Sequence, residues 1–303
     1  MPINERAYRA RFAKRQQREC GFYGRGHTLE IPQESLARAG GHRHIRSMPF
    51  APLNRTVFRL FGEGVVAWLS GLTTNEISGE PTFAALLTPQ GKIIADFFIY
   101  SEGDALLLET PTKFAESLHK RLRMYRLRAP IEITETDLHV YAIWDEDDMA
   151  GHPDPRHASL GNRVLSETPI ADTGDYNAHR LALGVPDSEW DFETQQVFPA
   201  DANMDLLNGV NFSKGCFVGQ EVVSRMKRMT TVKKRMRGII SEGESKAGDR
   251  ILSGERVIGD VLSVHGQSGM AMIRLDRLRA AEQALTLNGA PVEVMKAVDG
   301  LDH

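Results

Sequence analysis

The chain has 303 residues, a formal net charge of −3 at pH 7 and an apolar content of 41%. This length suits two or three modest domains with a sizeable core, and the charge balance does not call for nucleic acid or an acidic membrane. No apolar run approaches the roughly 20 residues of a membrane-spanning helix, so neither nucleic acid nor a membrane is an expected partner. The two cysteines, Cys20 and Cys216, are too far apart in the sequence for a disulfide framework, which favours a reducing compartment.

Residues 1–47 differ from the rest of the chain, because they are rich in Arg and Gly and lack aliphatic periodicity. A transit peptide is one interpretation, although such peptides avoid acids and this segment contains four glutamates. The preferred interpretation is a weakly ordered extension, with Met48 as an alternative start. The histidines of the sequence HRH at 42–44 lie here without partner ligands, so no metal site built from the chain's own His and Cys is expected.

From Leu53 onward, the sequence predicts regular elements in close succession. RTVFRLFG predicts a strand that ends at Gly62, and GVVAWLSGLTTN predicts a short helix that ends near Gly71. FAALLTPQGKIIADFFIY predicts a hairpin, because Pro89 and Gly91 occupy the second and fourth positions of a tight turn.

A strand ALLLE follows, and TPTKFAESLHKRLRMYRL then predicts a helix with Thr110 as its cap and Pro111 at its first position. Strands resume in APIEITETDLHVYAIWDE, and the Pro- and Gly-rich residues 151–163 are interpreted as a linker. Short strands dominate residues 231–303, where Asn-Gly at 288–289 predicts a hairpin turn. We therefore expect an α+β fold with a small C-terminal β-barrel or sandwich.

The segment KGCFVGQE, residues 214–221, combines a thiol with residues that can support chemistry. Its two glycines allow a positive φ or a close approach of the backbone to a ligand. In an extended segment Lys214 and Cys216 point the same way, and a lysine beside a thiol stabilises the thiolate. The triplet GQE suits the start of the helix QEVVSRM, with the glutamate in its first turn. The alternative interpretation is an inert cysteine buried in a glycine-containing turn.

Asp96 is a second candidate for chemistry. The period of two along KIIADFFIY places it on one face of a strand with Ile94, Phe98 and Tyr100. An acid among large apolar side chains is costly unless it has a partner. Two interpretations stay open: an anchor for the polar nitrogens of a heteroaromatic ligand, or an acid on an edge strand that faces solvent.

A basic run with no intervening acid follows the KGC motif: Arg225, Lys227, Arg228, Lys233, Lys234, Arg235 and Arg237. It favours either an anionic ligand or acidic partner, with nucleic acid among them, or simply a solvated face. The sequence contains no phosphate-binding loop, no dinucleotide-binding fingerprint and no nucleophile elbow.

Four stretches together resemble a known family. KGCFVGQE resembles the K-G-C-[FY]-x-G-Q-E signature of the YgfZ-type folate-binding proteins, whose mitochondrial counterparts assist iron–sulfur cluster assembly. These proteins are relatives of the aminomethyltransferase (T-protein) of the glycine cleavage system. WLSGLTTNEI, ALLTPQGKIIADFFIY, and HRLALGVPD followed by FPADANMDLL also resemble family segments, in the same order. The resemblance covers the chain from about residue 49 to the C-terminal strands.

The resemblance implies an aminomethyltransferase-like α+β body that binds tetrahydrofolate in a central channel. Two related units, 48–150 and 164–230, would form this body, and residues 231–303 would close it as a small β-barrel. The pterin would lie deep in the channel, with its glutamate tail near basic residues.

The resemblance also assigns site residues. Cys216 and Lys214 match the positions expected to carry chemistry, with Cys216 as a redox-active thiol or a shared cluster ligand. Because one thiol cannot hold a cluster that takes four ligands, the expected partners are iron–sulfur carrier or target proteins as well as reduced folate. The candidate folate-binding residues are Asp96, Asn75, Phe217, Gly219, Gln220, Glu221 and Arg225.

Three departures separate the chain from the T-protein. Only one of the T-protein's paired acids is kept in Ala95-Asp96, its folate-contacting glutamate is replaced by Ala182, and the T-protein lacks the cysteine of KGC. The resemblance therefore implies an assembly factor rather than a turnover enzyme. A tetrahydrofolate-dependent aminomethyltransferase is the alternative, and a folate-gated scaffold for an RNA-modifying machine is a third hypothesis. The expected location is the bacterial cytoplasm, or the mitochondrial matrix in a eukaryote.

Overall fold

A five-stranded antiparallel sheet forms the centre of the body in the computed structural model, which describes residues 49–145, 150–229 and 232–296. The strand order is β3-β4-β5-β2-β6. The strands are β2 (Arg55–Phe61), β3 (Thr82–Leu87), β4 (Ile93–Glu102), β5 (Ala105–Pro111) and β6 (Glu132–Glu135). The expectations for residues 1–47, for Cys20 and for the histidines at 42–44 lie outside the described residues.

Strand β4 is buried along Ile93–Tyr100, because its sequence is apolar on both faces and it lies between β3 and β5. Asp96 stands opposite Ala85 of β3. Asp96 therefore belongs to an interior strand and is only 6% exposed. The interpretation of Asp96 as a solvent-facing acid on an edge strand is wrong.

The predicted hairpin between β3 and β4 is confirmed. The Gly91 N–H donates to the Thr88 carbonyl at 2.8 Å, and Gly91 adopts a positive φ of 79°. The predicted cap of the next helix is wrong, because that helix spans Thr112–Arg126 and its N-cap is Pro111. Thr110 still belongs to β5, where its hydroxyl donates to the Asp96 carbonyl, so β5 runs two residues further than the pattern ALLLE indicates.

A second sheet has the order β1-β7-β9-β8. Its strands are β1 (Phe50–Leu53), β7 (His139–Ile143), β8 (His152–Pro153) and β9 (Asn162–Ser166). Residues 151–163, interpreted from the sequence as a linker, hold strand β8, one 3-10 turn at Ala158–Leu160 and three buried charged residues, Asp154, Arg156 and Arg163.

The helices of the described residues are α1 (Val65–Ser70), α2 (Thr112–Arg126), α3 (Tyr176–Ala182), α4 (Ser188–Asp191), α5 (Gln220–Met229) and α6 (Leu275–Arg279). In α2 the residues Phe114, Leu118 and Leu122 recur at i, i+4 and i+8, so one stripe of the helix is buried against the sheet. No helix in the described ranges is long and apolar enough to cross a membrane.

The C-terminal strands form a closed barrel in the order β10-β13-β12-β11-β14-β15. They are β10 (Lys234–Ser241), β11 (Arg250–Ser253), β12 (Arg256–His265), β13 (Ser268–Arg274), β14 (Leu285–Leu287) and β15 (Ala290–Val294). The predicted turn at Asn288-Gly289 joins β14 to β15, and both residues have a positive φ. The α+β body and the C-terminal barrel are thus confirmed. Strand β11 was not predicted from the sequence, because an alternation of apolar and polar residues is hard to recognise over only four residues.

The barrel is joined to the body through a buried acid of α4. Arg180 of α3 donates to both carboxylate oxygens of Asp191, and Ser263 of β12 donates to the same carboxylate. A partly exposed pair, His265 of β12 and Asp175 at the start of α3, adds a second contact at 2.8 Å. The barrel is therefore fixed to the two short helices that precede the KGC motif.

Candidate functional site

The interior of the body contains a closed ring of alternating charges, here called the charge ring. Each of its side chains is at most 2% exposed. Its members, in order around the ring, are Arg55, Asp187, Arg156, Asp154, Arg163 and Glu109. Nitrogen–oxygen distances of 2.7 Å (Arg55–Asp187) and 2.8 Å (Arg156–Asp154) measure two of its tight links. The ring closes less tightly, at 3.8 Å between Arg55 and Glu109.

The alternation of charge explains how six ionisable groups stay buried. Burial raises the pKa of the Asp187 carboxyl, but the guanidinium groups of Arg55, Arg156 and Arg180 outweigh it and hold that pKa well below its usual value. Burial likewise raises the pKa of Asp154, but its two arginine neighbours in the ring outweigh burial and lower that pKa, as they do for Asp187. These two carboxylates of the ring are therefore held in their charged form.

Asp96 lies beside the charge ring without belonging to it. The Ser188 hydroxyl of α4 donates to its Oδ1. Among the residues that the structure describes, no side-chain hydrogen bond reaches its other oxygen, Oδ2. Burial, and then the negative charge of Asp187, raises the pKa of Asp96, against the opposing effects of Ser188, Arg55 and Arg156. Asp96 is thus a buried acid that takes up a proton more readily than an ordinary aspartate and has one oxygen to spare.

The aromatic side chains on the Asp96 face of β4 pack against the charge ring. The guanidinium carbon of Arg163 lies 4.0 Å from the centroid of the Phe98 ring, and that of Arg156 lies 4.9 Å from it. The Tyr100 hydroxyl donates to Glu109 at 2.7 Å. The face predicted from the period of two is therefore present, and its aromatic groups help to solvate the buried cations.

The KGC turn, residues 214–219, presents its cysteine to solvent. Cys216 is exposed and has no disulfide partner among the described residues. The segment is irregular and not a strand, so the expectation that Lys214 and Cys216 point the same way has no structural basis here. The interpretation of Cys216 as a buried, inert residue is wrong.

The Lys214 ammonium is held by the backbone. Its Nζ donates to the carbonyls of Ser70 and Thr73, the latter at 2.6 Å, and to that of Asn75 at 3.1 Å. An ammonium has three donors, so these bonds use all of them and leave none for the thiol. Burial lowers the pKa of Lys214, partly offset by the nearby charge of Glu76. Lys214 therefore anchors the KGC turn to the end of α1.

The other residues of the motif shape the turn. Gly219 has a φ of 82°, and a Cβ atom there would lie 2.6 Å from the Thr88 carbonyl oxygen, so only glycine fits against the β3–β4 hairpin. Phe217 is 8% exposed, and the Lys214 ammonium lies 5.2 Å from its ring centroid. Helix α5 begins at Gln220, as predicted, with Glu221 in its first turn and Arg225 exposed.

Asn75 connects the KGC turn to an open polar cleft of about 260 Å³. The Asn75 amide donates to the carbonyls of Phe83 at 3.0 Å and Asn208 at 2.6 Å. The cleft is lined by Asn75, Glu76, Ser78, Pro81, Thr82, Phe83, Pro155, Asn208 and Asn211. The structure thus brings Asn75, Lys214 and Phe217 together at one surface, whereas Asp96 lies in the interior beside the charge ring.

The basic run after the KGC motif divides into two parts. Arg235 forms a two-pronged ion pair with Asp205 at 2.7 and 2.8 Å, and Lys234 pairs with Asp201 at 3.2 Å. The exposed members of the run are Arg225, Lys227, Arg228 and Lys233. Part of the run therefore stabilises the fold, and the rest forms a solvated face.

The charge ring is the feature that sequence reasoning missed. Three of its members lie in residues 151–163, where proline and glycine indicate a connection rather than a core. A signal was present in Glu109, since an acid directly after the apolar run ALLL needs a partner when the strand is buried. The partner residues are far away in the sequence, so the chain alone does not identify them.

Comparison with known proteins gives a match to one domain family and longer matches to individual relatives. Residues 227–297 match the CAF17 C-terminal beta-barrel domain family. The chain is 26% identical over 292 residues to the human mitochondrial iron–sulfur cluster assembly factor IBA57, covering 80% of this chain and 82% of that protein. It is 29% identical over 225 residues to the mitochondrial IBA57 homologue of Neurospora crassa, covering 60% of this chain.

The alignment spans only about half of the fungal relatives, at 51% of the Neurospora crassa protein and 54% of the Mycosarcoma maydis protein. Among solved structures, the fold is similar to the glycine cleavage system aminomethyltransferase T from Bartonella henselae. The TM-score is 0.65 at 13% identity, covering 82% of this chain and 85% of that one. The predicted resemblance is confirmed: the homologues of the chain are IBA57 iron–sulfur cluster assembly factors, its C-terminal barrel is of the CAF17 type, and its fold is that of the aminomethyltransferase.

Proposed function

We propose that this protein assists the assembly or repair of iron–sulfur clusters in target enzymes, with Cys216 as a ligand of a cluster shared with a partner protein. The observation that carries the proposal is the exposed thiol of Cys216, which has no disulfide partner among the described residues and lies on a turn whose backbone is fixed by Lys214 and Gly219. The names of the homologues support the same role.

The chemistry of a shared cluster fits one accessible thiol. A thiol loses its proton to solvent when it binds iron, and an exposed position allows that loss. The usual clusters take four protein ligands, and no group of three or more His, Cys, Asp or Glu side chains in the described ranges is arranged to hold a metal ion. A carrier or target protein would supply the remaining ligands. The alternative within this proposal is that Cys216 acts as a redox-active thiol and does not bind the cluster.

A reduced folate is the second component of the proposal, at Asp96. The donor set fits the polar edge of a pterin, because Oδ2 of Asp96 has no described partner and burial favours the protonated form of its carboxyl. Asp96 would accept or donate a hydrogen bond to a pterin nitrogen, and Ser188 would fix the orientation of the carboxyl. When bound, the folate would supply a heteroaromatic ring and a one-carbon carrier.

The remaining residues would position the two components. Gly219, Phe217 and Gln220 would hold the KGC turn against the β3–β4 hairpin, and Asn75 would tie it to the polar cleft. Exposed Glu221 and Arg225 on α5 lie beside the turn, where a ligand's polar tail or a partner would meet them. The natural setting would be a reducing compartment, either the mitochondrial matrix or the bacterial cytoplasm; the names of the relatives describe those proteins as mitochondrial.

The test is a deletion of the gene in its own host, with a cluster-dependent dehydratase and glycine cleavage assayed in the same extracts. Cys216→Ala is the test variant, and Cys20→Ala is the matched control that removes the chain's other cysteine. We expect dehydratase activity to fall to a few per cent in the deletion strain, to be restored by wild type and by Cys20→Ala, and not by Cys216→Ala.

Two results would contradict this expectation. Full dehydratase activity with Cys216→Ala would remove the thiol from the mechanism. Loss of glycine cleavage with intact dehydratase activity would instead favour the alternative function, a tetrahydrofolate-dependent aminomethyltransferase, for which only the fold similarity speaks.

A further inference from the structure

One corner of the body exposes apolar side chains that its own core does not use. Helix α1 exposes Val66 at 44%, and the end of α2 exposes Met124 at 52% and Leu127 at 85%. Trp68 of α1 donates to the Tyr125 carbonyl at 3.4 Å, so the two helices meet at this point. We call this surface the α1–α2 corner.

Leu127 is held outward by a backbone conformation that suits glycine. It is the C-cap of α2, with φ 48° and ψ −108°. Helices commonly end with glycine at such positions, because a side chain strains this region of φ and ψ. A large apolar side chain that is almost fully exposed and has a strained backbone does not stabilise the folded monomer. Retained strain of this kind points to a function.

The corner is basic. The sequence from 117 to 131 contains no acid and carries the cations Lys120, Arg121, Arg123, Arg126 and Arg128. Arg123 and Arg128 are exposed. Lys120 is also exposed, and Arg121 and Arg126 are partly exposed; the exposed acids nearby in the sequence are Glu116, Glu132 and Glu63. The excess of positive charge around apolar groups favours a partner with carboxylates around an apolar contact.

The corner and the KGC turn are both attached to helix α1. Lys214, two residues before Cys216, donates to the carbonyl of Ser70 at the end of α1. Trp68, which contacts the end of α2, lies only two residues from Ser70 on the same helix. Because six helical residues rise only about 9 Å, the contact of α1 with the end of α2 and its contact with Lys214 lie within that distance along the helix axis.

We propose that the α1–α2 corner is the docking surface of the protein that shares the cluster with Cys216, and that this partner presents an acidic rim around an apolar contact. The inference rests on the proposed function of Cys216. The apolar groups Met124 and Leu127 would make the central contact, and Arg123 and Arg128 would bind carboxylates at its edge. A partner docked there would bind next to the short helix to which Lys214 anchors the KGC turn.

The test uses the full chain and, as the probe, the host's own cluster carrier protein, purified with its cluster bound. Binding is measured at low and at moderate salt for wild type, Leu127→Gly and the double variant Arg123→Glu with Arg128→Glu. The matched controls lie on the barrel: Ile240→Ala, which alters an apolar residue that is 45% exposed, and Arg256→Glu, which reverses an exposed charge. Melting temperatures are recorded for every variant.

We expect both corner variants to weaken binding by about tenfold or more, with the charge reversals also removing most of its salt dependence. The barrel controls should bind like wild type. Leu127→Gly should melt no lower than wild type, because glycine relieves the strain, so weaker binding would not reflect misfolding. Equal binding by the corner variants and wild type, or no binding of the carrier by wild type, would overturn the proposed docking surface.

Cys216→Ala separates this inference from the proposed function. With the cluster-free form of the carrier as the probe, it should bind like wild type, while failing to restore dehydratase activity in the host. If Cys216→Ala fails in the host and the corner variants bind and function fully, the thiol keeps its role and the docking surface is wrong. If Cys216→Ala functions fully and the corner variants lose binding, the corner is a docking surface and the shared ligand is wrong.

Discussion

The charge ring and the KGC turn use charged side chains in opposite ways. In the ring, three arginines and three carboxylates are buried and satisfy one another. In the KGC turn, the single cation Lys214 is satisfied by three backbone carbonyls, and the neighbouring thiol of Cys216 stays exposed. The charge ring holds together elements in the interior of the body, and Lys214 holds a turn in place at the surface.

The difference shows where reactivity can reside in this fold. Every charge in the ring has a partner, so the ring acts on Asp96 only through its charges and offers no group of its own to a ligand. The KGC turn is rigid in its backbone and open at its thiol, which is the arrangement that a ligand contributed to a second protein requires. The two regions can therefore be perturbed separately, and the predictions below exploit that separation.

Breaking the charge ring should have the largest effect. Asp187→Asn leaves the guanidinium groups of Arg55 and Arg156 without their shared carboxylate, and removal of one partner from a buried ion network costs about 3–5 kcal/mol. Chemical denaturation should show this loss in the free energy of unfolding. A surface control, Glu102→Gln, removes a pair with Arg59 in which both side chains are about half exposed and should cost less than about 1 kcal/mol. Similar losses for both variants would mean that the ring is not a stabilising unit.

Releasing the KGC turn should have a smaller effect on stability and almost none on the thiol. Lys214→Met removes the donors to three carbonyls, which costs about 1–3 kcal/mol when acceptors lose their partners. In a Cys20→Ala background, the rate at which Cys216 reacts with a thiol reagent should stay within about twofold of wild type, because the Lys214 ammonium is directed at three backbone carbonyls and no described contact joins it to the thiol.

A large drop in that rate would show that Lys214 stabilises the thiolate after all, as the sequence pattern indicates. Lys214→Arg makes a useful comparison, since it keeps the charge but changes the donor geometry. It should lose stability in the same direction as Lys214→Met and leave the reactivity of Cys216 unchanged.

Neutralising Asp96 should have the smallest effect, and its sign depends on pH. Burial and the charge of Asp187 raise the pKa of Asp96, so the folded state holds this proton more tightly than the unfolded state. Ionisation of Asp96 therefore lowers the free energy of unfolding. This loss is absent below the pKa of Asp96 in the unfolded state, near 3.9, grows as the pH rises towards its pKa in the folded state, and is constant above that. Asp96→Asn, whose amide oxygen still accepts from Ser188, should raise the melting temperature by about 2 °C or more at pH 8 and not at pH 3.5.

This prediction is tested only by the difference in melting temperature between wild type and Asp96→Asn at each pH. Asp187 and Asp154, whose pKa values are lowered in the fold, contribute stability at neutral pH that both proteins lose as the pH falls. A lower melting temperature of Asp96→Asn at pH 8 would show that the negative charge of Asp96 stabilises the fold. A titration with tetrahydrofolate would test the proposed ligand contact in the same pair of proteins, with weaker binding expected for Asp96→Asn.

Much of the fold could be predicted because its signals are local. The β3–β4 hairpin follows from Pro89 and Gly91, and the buried stripe of α2 follows from a spacing of four. The predicted N-cap of α2 was wrong because Thr110 finds an acceptor across the sheet, in the carbonyl of Asp96. Long-range pairing overrode the local capping preference.

The candidate site could be predicted only in part, for a related reason. The KGC motif is contiguous, so the sequence identified its glycines and its thiol directly. The orientation of Lys214 was not predictable, since its acceptors belong to α1 and the residues after it, about 140 positions earlier. The same holds for the charge ring, in which Arg163 and its partner Glu109 are 54 positions apart.

The balance of charge within the ring has a kinetic consequence. Three positive and three negative groups cancel, so at distances beyond a few ångströms the ring adds little to the field that an approaching protein experiences. The chain carries a net charge of −3, yet the α1–α2 corner is positive, and a diffusing acidic protein would be steered to that corner before any contact forms. The charges of the surface would therefore set the rate of productive encounters with a partner, and the charge ring would set the stability of the fold that the partner meets.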